Sequence, residues 1–195
     1  MLPRIVEAAE KRKAHLVFLD ESGFQMSPVV RRTYAPKGET PIVEAFYRKD
    51  KVSAISAVTV SPARKRCRLS YRLLPDNANA HGEDTVSFLA QLRDRLKGPM
   101  TILWDQSKIH VRSGVVKEYL ARHPEIVTED FPGYAPDANP DEGVWGWTKY
   151  HRLANFAPGD IDELRVRLWG ELLALRGRPD LLASFIRHAG IPLRL

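Results

Sequence analysis

Apolar positions along this chain fall into two kinds of pattern, and their order predicts its architecture. Residues 15–19, HLVFL, form an apolar run without alternation, as in a strand buried on both faces, and the run ends at Asp20. VSAISAVTV (52–60) and CRLSYRLL (67–74) are β-rich and flank the turn SPARKR, which predicts a hairpin. Before them, VVRRTYAPKGETPIV has strand-like flanks around a turn at Pro36 to Gly38, fitting either a longer hairpin or an extended loop. Beyond Gly82 the period changes. EDTVSFLAQLRDRL spaces Val86, Leu89, Leu92 and Leu96 by three and four, an amphipathic helix stopped at Gly98 and Pro99. MTILWD predicts a further buried strand ending at Asp105, Ser113 to Arg122 a helix, and EIVTEDF a last strand. Helices are then expected from Asn139 to about Leu153, after Asp160 with Glu163 at capping-box spacing, and from Pro179 to Gly190.

Three strands followed by alternating helices and strands predict an α/β fold: a mixed sheet, an antiparallel meander continuing into parallel strands, with helices on its faces. Residues 1–14 read as an N-terminal helical arm on a single domain running from 15 to 195. Repeats, low-complexity segments and long linkers are absent from the sequence. In such a sheet two aspartates at strand ends can lie side by side at one edge of the layer, and ligands of open α/β sheets bind outside the carboxyl ends of strands, where Asp105 falls.

Composition narrows the function classes. A chain of 195 residues with 44% hydrophobic content can bury a sizeable core without a disulfide or metal staple. Cys67 is the only cysteine, which excludes an internal disulfide and a cysteine-built zinc site; it reads as a buried or half-buried thiol. MLPRIVEAAEKRKAH is broken by charges every few positions, unlike a signal peptide or membrane span, so a soluble, intracellular protein is expected. The net charge of +6, with basic clusters at Arg31 and Arg32, at Arg48 to Lys51 and at Arg64 to Arg68, is compatible with a polyanionic partner, although basic runs also serve as solvated turns.

The densest chemistry lies in FPGYAPDANPDEGVW, residues 131–145, where Asn139 is a good N-cap, Pro140 suits the first helical position, and Asp141 and Glu142 follow. Two readings stand for Glu142: a first-turn acid answering the helix dipole or reaching back to the cap, or a ligand. Together with Asp20 and Asp105 it makes a set of acids that, if convergent, would repel by about 4 kcal/mol per pair at about 4 Å and an effective dielectric near 20. A divalent cation relieves that repulsion, and an all-oxygen set favours Mg²⁺ or Mn²⁺ over zinc. Lys149, seven residues after Glu142, projects from the same helix face, as a phosphate contact or as a solvated lysine.

FLDESGF, LWDQSKIH and PGYAPDANPDEGVW resemble the DDE catalytic domain of the bacterial insertion-sequence branch of the Tc/mariner transposase superfamily, from about residue 15 to residue 190. VVRRTYAPKGETPIV and KVSAISAVTVSP also look like its early hairpin region. The resemblance implies a ribonuclease-H-like fold and a triad carried here by Asp20, Asp105 and Glu142, binding Mg²⁺ or Mn²⁺. Its 36 residues between Asp105 and Glu142 are close to the superfamily's mid-thirties spacing, and Asp141 stands as runner-up to Glu142. The implied activity is phosphodiester hydrolysis at transposon ends followed by strand transfer into target DNA, with no covalent enzyme intermediate. Double-stranded DNA is the implied partner, with Arg31, Arg32, Lys37, His110 and Lys149 as candidate DNA contacts; His110 is read as a near-site residue or an ordinary loop histidine.

This chain departs from many relatives in having Gln106 after the second aspartate, and nothing before HLVFLD is long enough for their helix-turn-helix module. A separately encoded end-binding subunit, homo-oligomerisation during transposition and a cytoplasmic, nucleoid-associated location are therefore expected. A catalytically inactive, nucleic-acid-binding remnant is the alternative, while a phosphatase reading of LDESG leaves Glu142 unexplained. Trp104, Trp145, Trp147 and Trp169 are expected in the core rather than at a base-stacking site.

Overall fold

The computed structural model describes residues 2–45, 48–131 and 136–194. Five strands, β1 (His15–Gln25), β2 (Lys51–Val60), β3 (Cys67–Leu73), β4 (Met100–Trp104) and β5 (Ile126–Asp130), form one sheet in the order β3-β2-β1-β4-β5. β1 pairs antiparallel with β2, and β2 with β3; β1 pairs parallel with β4, and β4 with β5. This is the mixed α/β sheet expected from the element order, and it suits the ribonuclease-H-like fold that the resemblance implies. Among the described residues no helix is long and apolar enough to cross a membrane.

Helices cover both faces, and β1 supplies both cores by alternation. Leu16, Phe18 and Phe24 pack with residues of α1 (Leu2–Lys11), α5 (Pro140–Trp147), α6 (Ile161–Arg176) and α7 (Pro179–His188). Val17 and Leu19 pack on the other face against α2 (Gly82–Leu96) and α4 (Gly114–Arg122). Burial of alternate residues on opposite faces is why the run HLVFL is continuous rather than alternating.

The strand does not end at Asp20. β1 continues to Gln25, because β2 offers it an antiparallel partner through Gln25↔Lys51, so Asp20 sits mid-strand opposite Ser56. VVRRTYAPKGETPIV resolves as the extended alternative: it carries a turn in which the Glu39 amide donates to the Pro36 carbonyl and an isolated bridge from Val29 to Ala154. The helix expected to run from Asn139 to about Leu153 stops being α-helical at Trp147 and continues as a π-helical stretch, Thr148–Arg152. A short helix after β4, α3 (Lys108–Val111), had no periodic signal in the sequence.

The basic run at Arg64 to Arg68 also divides. Lys65, Arg66 and Arg68 are exposed, but Arg64 is fully buried in the hairpin turn, donating to the Ala14, Ser61 and Val6 carbonyls. Its Nε lies 3.8 Å from Glu10 of α1. Arg64 is thus a tie between the hairpin and the N-terminal helix, not a surface cation.

Candidate active site

The parallel register of β1 and β4, ending at Phe18↔Leu103, brings the stretches carrying Asp20 and Asp105 to the same edge of the sheet. The first turn of α5 is tied to Asp20 from above by Asn139. Its side-chain oxygen accepts from the Asp141 amide at 3.0 Å, the N-cap expected from the sequence, while its Nδ2 donates to Asp20 Oδ2 at 3.1 Å. Gly143 lets α7 come close, since a β-carbon there would lie 2.6 Å from the Phe185 ring.

Asp20 is half-buried, and burial, then the charges of Glu142, Glu21 and Asp105, push its carboxyl up to about 7. Glu142 is exposed, and among the described residues it makes no hydrogen bond back to the cap; the capping role falls to Asn139 alone. Asp141 is enclosed completely, with its Oδ2 accepting from Ser56 Oγ at 2.7 Å. Burial and the neighbouring Asp20 raise its carboxyl well above the usual range, and the side chain is turned away from solvent.

Glu21 points to the opposite face of β1, as strand alternation requires, and there it meets His110. His110 is buried with its ring stacked on Trp104 at 4.5 Å between centroids. Its Nε2 lies 3.0 Å from Glu21 Oε1 and its Nδ1 3.0 Å from Asp105 Oδ1. Burial alone would lower this imidazole, but its hydrogen bonds to the Asp105 and Glu21 carboxylates raise it to about 10, and the His110 bond in turn lowers Asp105. Asp105 also accepts from the Ser107 amide at 3.0 Å.

These interactions explain a difference from the expected shared shell. Among the described residues no group of three acids, histidines or cysteines lies close enough to hold an ion. Like-charged carboxylates separate, and Asp105 takes its counter-charge from His110. Asp20, Asp105 and Glu142 are together in electrostatic range without touching.

Lys149 is half-buried; its ammonium donates to Ser22 Oγ at 2.6 Å and lies 5.2 Å from the centre of the Phe24 ring. Burial lowers it, against the opposing pull of Glu142 and Asp20, which places it on the acidic side of the site even though the backbone between Glu142 and Lys149 changes from α to π. Arg31 is fixed nearby. Its amide and carbonyl both bond the Asn155 side chain, at 2.8 and 2.9 Å, and its guanidinium covers the Tyr150 ring at 4.7 Å. Arg32 and Lys37 are exposed on the extended segment and pair with no acid among the described residues. Pro132, Gly133, Tyr134 and Ala135 of the motif approaching α5 lie outside the described residues.

Sequence reasoning missed the second bond of Asn139, the Glu21–His110 pair and the burial of Asp141 by Ser56. Alternation along β1 signalled Glu21; the others are contacts between distant segments with no local signature.

The chain belongs to the DDE superfamily endonuclease family, whose model matches residues 15–165. The match begins where the resemblance does and ends in α6, short of residue 190. No curated protein matches the chain. Among solved structures, the mariner Mos1 paired-end complex with Mg is similar at a TM-score of 0.63 and 17% identity, covering 96% of this chain and 58% of that one. A pre-cleavage Mos1 transpososome gives 0.59 at 13%, covering 98% and 61%. The catalytic domain of Mos1 mariner transposase gives 0.52 at 11%, covering 98% and 91%. At these identities the likeness is one of fold, and this chain spans about three fifths of the length of the first two structures.

Proposed function

We propose that this chain is the catalytic domain of a DNA transposase, cutting a phosphodiester bond at a transposon end and joining the freed 3′-hydroxyl to target DNA. The observation that carries the reading is the Asn139–Asp20 bond, which fastens the first turn of α5, and with it Glu142, against the strand edge shared by Asp20 and Asp105. The donor set fits Mg²⁺ or Mn²⁺: hard carboxylate oxygens only, with Asp20 raised to about 7 by burial and then by the charges around it. Asp20, Asp105 and Glu142 would hold the ions, and Asp141, enclosed and bonded to Ser56, would not. When bound, divalent ions supply charge neutralisation at the phosphate and a lowered pKa for the attacking hydroxyl or water.

The protein's own groups have separable tasks. Asn139 orients Asp20, His110 holds Asp105 and Glu21 in place, and Lys149 and Arg31 receive phosphates on the acidic rim while Arg32 and Lys37 contact DNA further out. Mos1 structures with Mg and with Mn support divalent-ion use, and their transposon ends support DNA as partner. A separately encoded end-binding subunit, homo-oligomers in the transposition complex and a cytoplasmic, nucleoid-associated setting complete this reading. That no three such ligands lie close enough to hold an ion among the described residues favours one rival, a DNA-binding remnant without activity.

Nicking of labelled duplex DNA, with Mg²⁺ or Mn²⁺ and with an end-binding module supplied, separates the two. Wild type should cut and Asp105→Ala should lose at least about 100-fold, beyond the cost typical of outer-shell partners. Binding without cutting by wild type gives the remnant reading the site.

A further inference from the structure

We propose that the outer face of α6 is a self-association surface on which a second copy of this chain docks antiparallel about a two-fold axis. Trp169 was expected in the core, yet Trp104 and Trp145 are buried and Trp169 is 52% exposed. It does not stand alone: Val166 is 70% and Leu173 41% exposed, one turn to either side. Leu164, Leu168, Leu172 and Leu175 already fill the core from the opposite face of α6, so packing within the chain gives this second stripe no role.

The ends of the stripe identify the occupant. Asp162, Val166, Trp169, Leu173 and Arg176 follow one another at spacings of four, three, four and three, the seam of a two-helix contact. Ion pairs of α6 among the described residues are Arg165–Asp76 and the Arg152–Glu171–Arg167 group, which leaves Asp162 and Arg176 unpaired. They lie about 21 Å apart at 1.5 Å per residue.

Antiparallel pairing about Trp169 sets Asp162 of each copy against Arg176 of the other, Val166 against Leu173, and indole beside indole. Every residue of the seam then meets a complement, as an isologous interface demands. A parallel pairing would set Asp162 against Asp162 and Arg176 against Arg176, and would align rather than oppose the helix dipoles. Gly170 leaves the needed space, since a β-carbon there would meet nothing within 4 Å.

One helix per partner is a small interface, below about 1,200 Å² in total, so the dimer is reversible and concentration-dependent. The inference goes beyond the nuclease reading and does not rest on it, because its readout is mass and not DNA cleavage.

The test is sedimentation equilibrium of the full chain from about 1 to about 200 µM, a range suited to weak association. Wild type should rise from 22.1 kDa towards twice that mass. Trp169→Ala should weaken association about tenfold or more. Asp162→Arg and Arg176→Asp should each weaken it, and the double exchange should restore it, while thermal melts of these surface variants match wild type. A mass of 22.1 kDa throughout, association unchanged in Trp169→Ala, or failure of the double exchange to restore it would overturn the proposal. A monomer whose DNA affinity drops with Trp169→Ala would also overturn it and assign the stripe to nucleic acid.

Discussion

His110 carries a carboxylate on each ring nitrogen, Asp105 on Nδ1 and Glu21 on Nε2, in a buried position stacked on Trp104. Its folded-state pKa, raised to about 10, exceeds the unfolded value near 6.5, so its contribution to stability is complete below about pH 6.5 and is lost as pH rises through 10. Chemical denaturation followed from about pH 6 to about pH 10 should therefore show falling stability in wild type and a flatter profile in His110→Gln. At the acid end His110→Gln should cost about 1.5–3 kcal/mol, most of it from Glu21, which loses its charged partner in a nearly enclosed position, whereas Asp105 is exposed and relieved by solvent. The sequence pointed to His110 only by its distance from Asp105. Alternation on β1 sets its partner Glu21 on the face away from Asp20, but their meeting depends on α3, a helix too short to leave a periodic trace. Asp20 was misplaced within its strand, because Asp-Glu-Ser-Gly reads as a strand end unless β2 is known to pair with it.

α5 is specified twice over at its start. Asn139 caps the helix through its oxygen and holds Asp20 through its nitrogen, so the two functions divide between atoms of one amide. Asn139→Asp keeps the capping acceptor and replaces the donor with a negative charge beside Asp20. Melting should stay within about 1 kcal/mol of wild type while cleavage falls about 10- to 100-fold, with its pH optimum moved upward because Asp20 becomes harder to ionise. Asn139→Ala should lose both activity and about 1 kcal/mol of stability. The cap, the proline at the first helical position and the apolar turns of α6 were legible because they are local. The change from α to π at Thr148 was not; hydrophobic spacing does not distinguish the two over so short a stretch. In α6 the sequence placed the cap at Asp160, where the Glu163 amide donates to Asp160 Oδ1 at 2.8 Å, but Glu163 itself returns to the Gly159 amide, one residue before the expected target.

Across the whole molecule the order of elements carried the sheet topology almost completely, because three early β-rich runs and alternating later ones leave few right-handed arrangements open. Net charge was a poorer guide. Of the +6 excess, Arg64 faces no solvent, while Arg31, Arg32 and Lys149 lie on or beyond the acidic rim. DNA affinity should accordingly drop steeply with salt, and Arg31→Ala with Lys149→Ala should reduce the slope of log affinity against log salt by about 2, measured by fluorescence anisotropy. Arg64 has a different consequence. The family match starts at residue 15, yet this guanidinium is held by the Val6 carbonyl and by Glu10, both upstream of that boundary. A shortened polypeptide beginning at His15 would keep every acid of the candidate site, yet it would strip Arg64 of its Val6 and Glu10 partners and uncover the apolar surface against which Ile5, Val6 and Ala9 pack, at a cost of about 3–5 kcal/mol. Its melting temperature should fall well below that of the full chain. The opening helix is thus a plug: the stretch that the family shares leans on a segment that lies outside it.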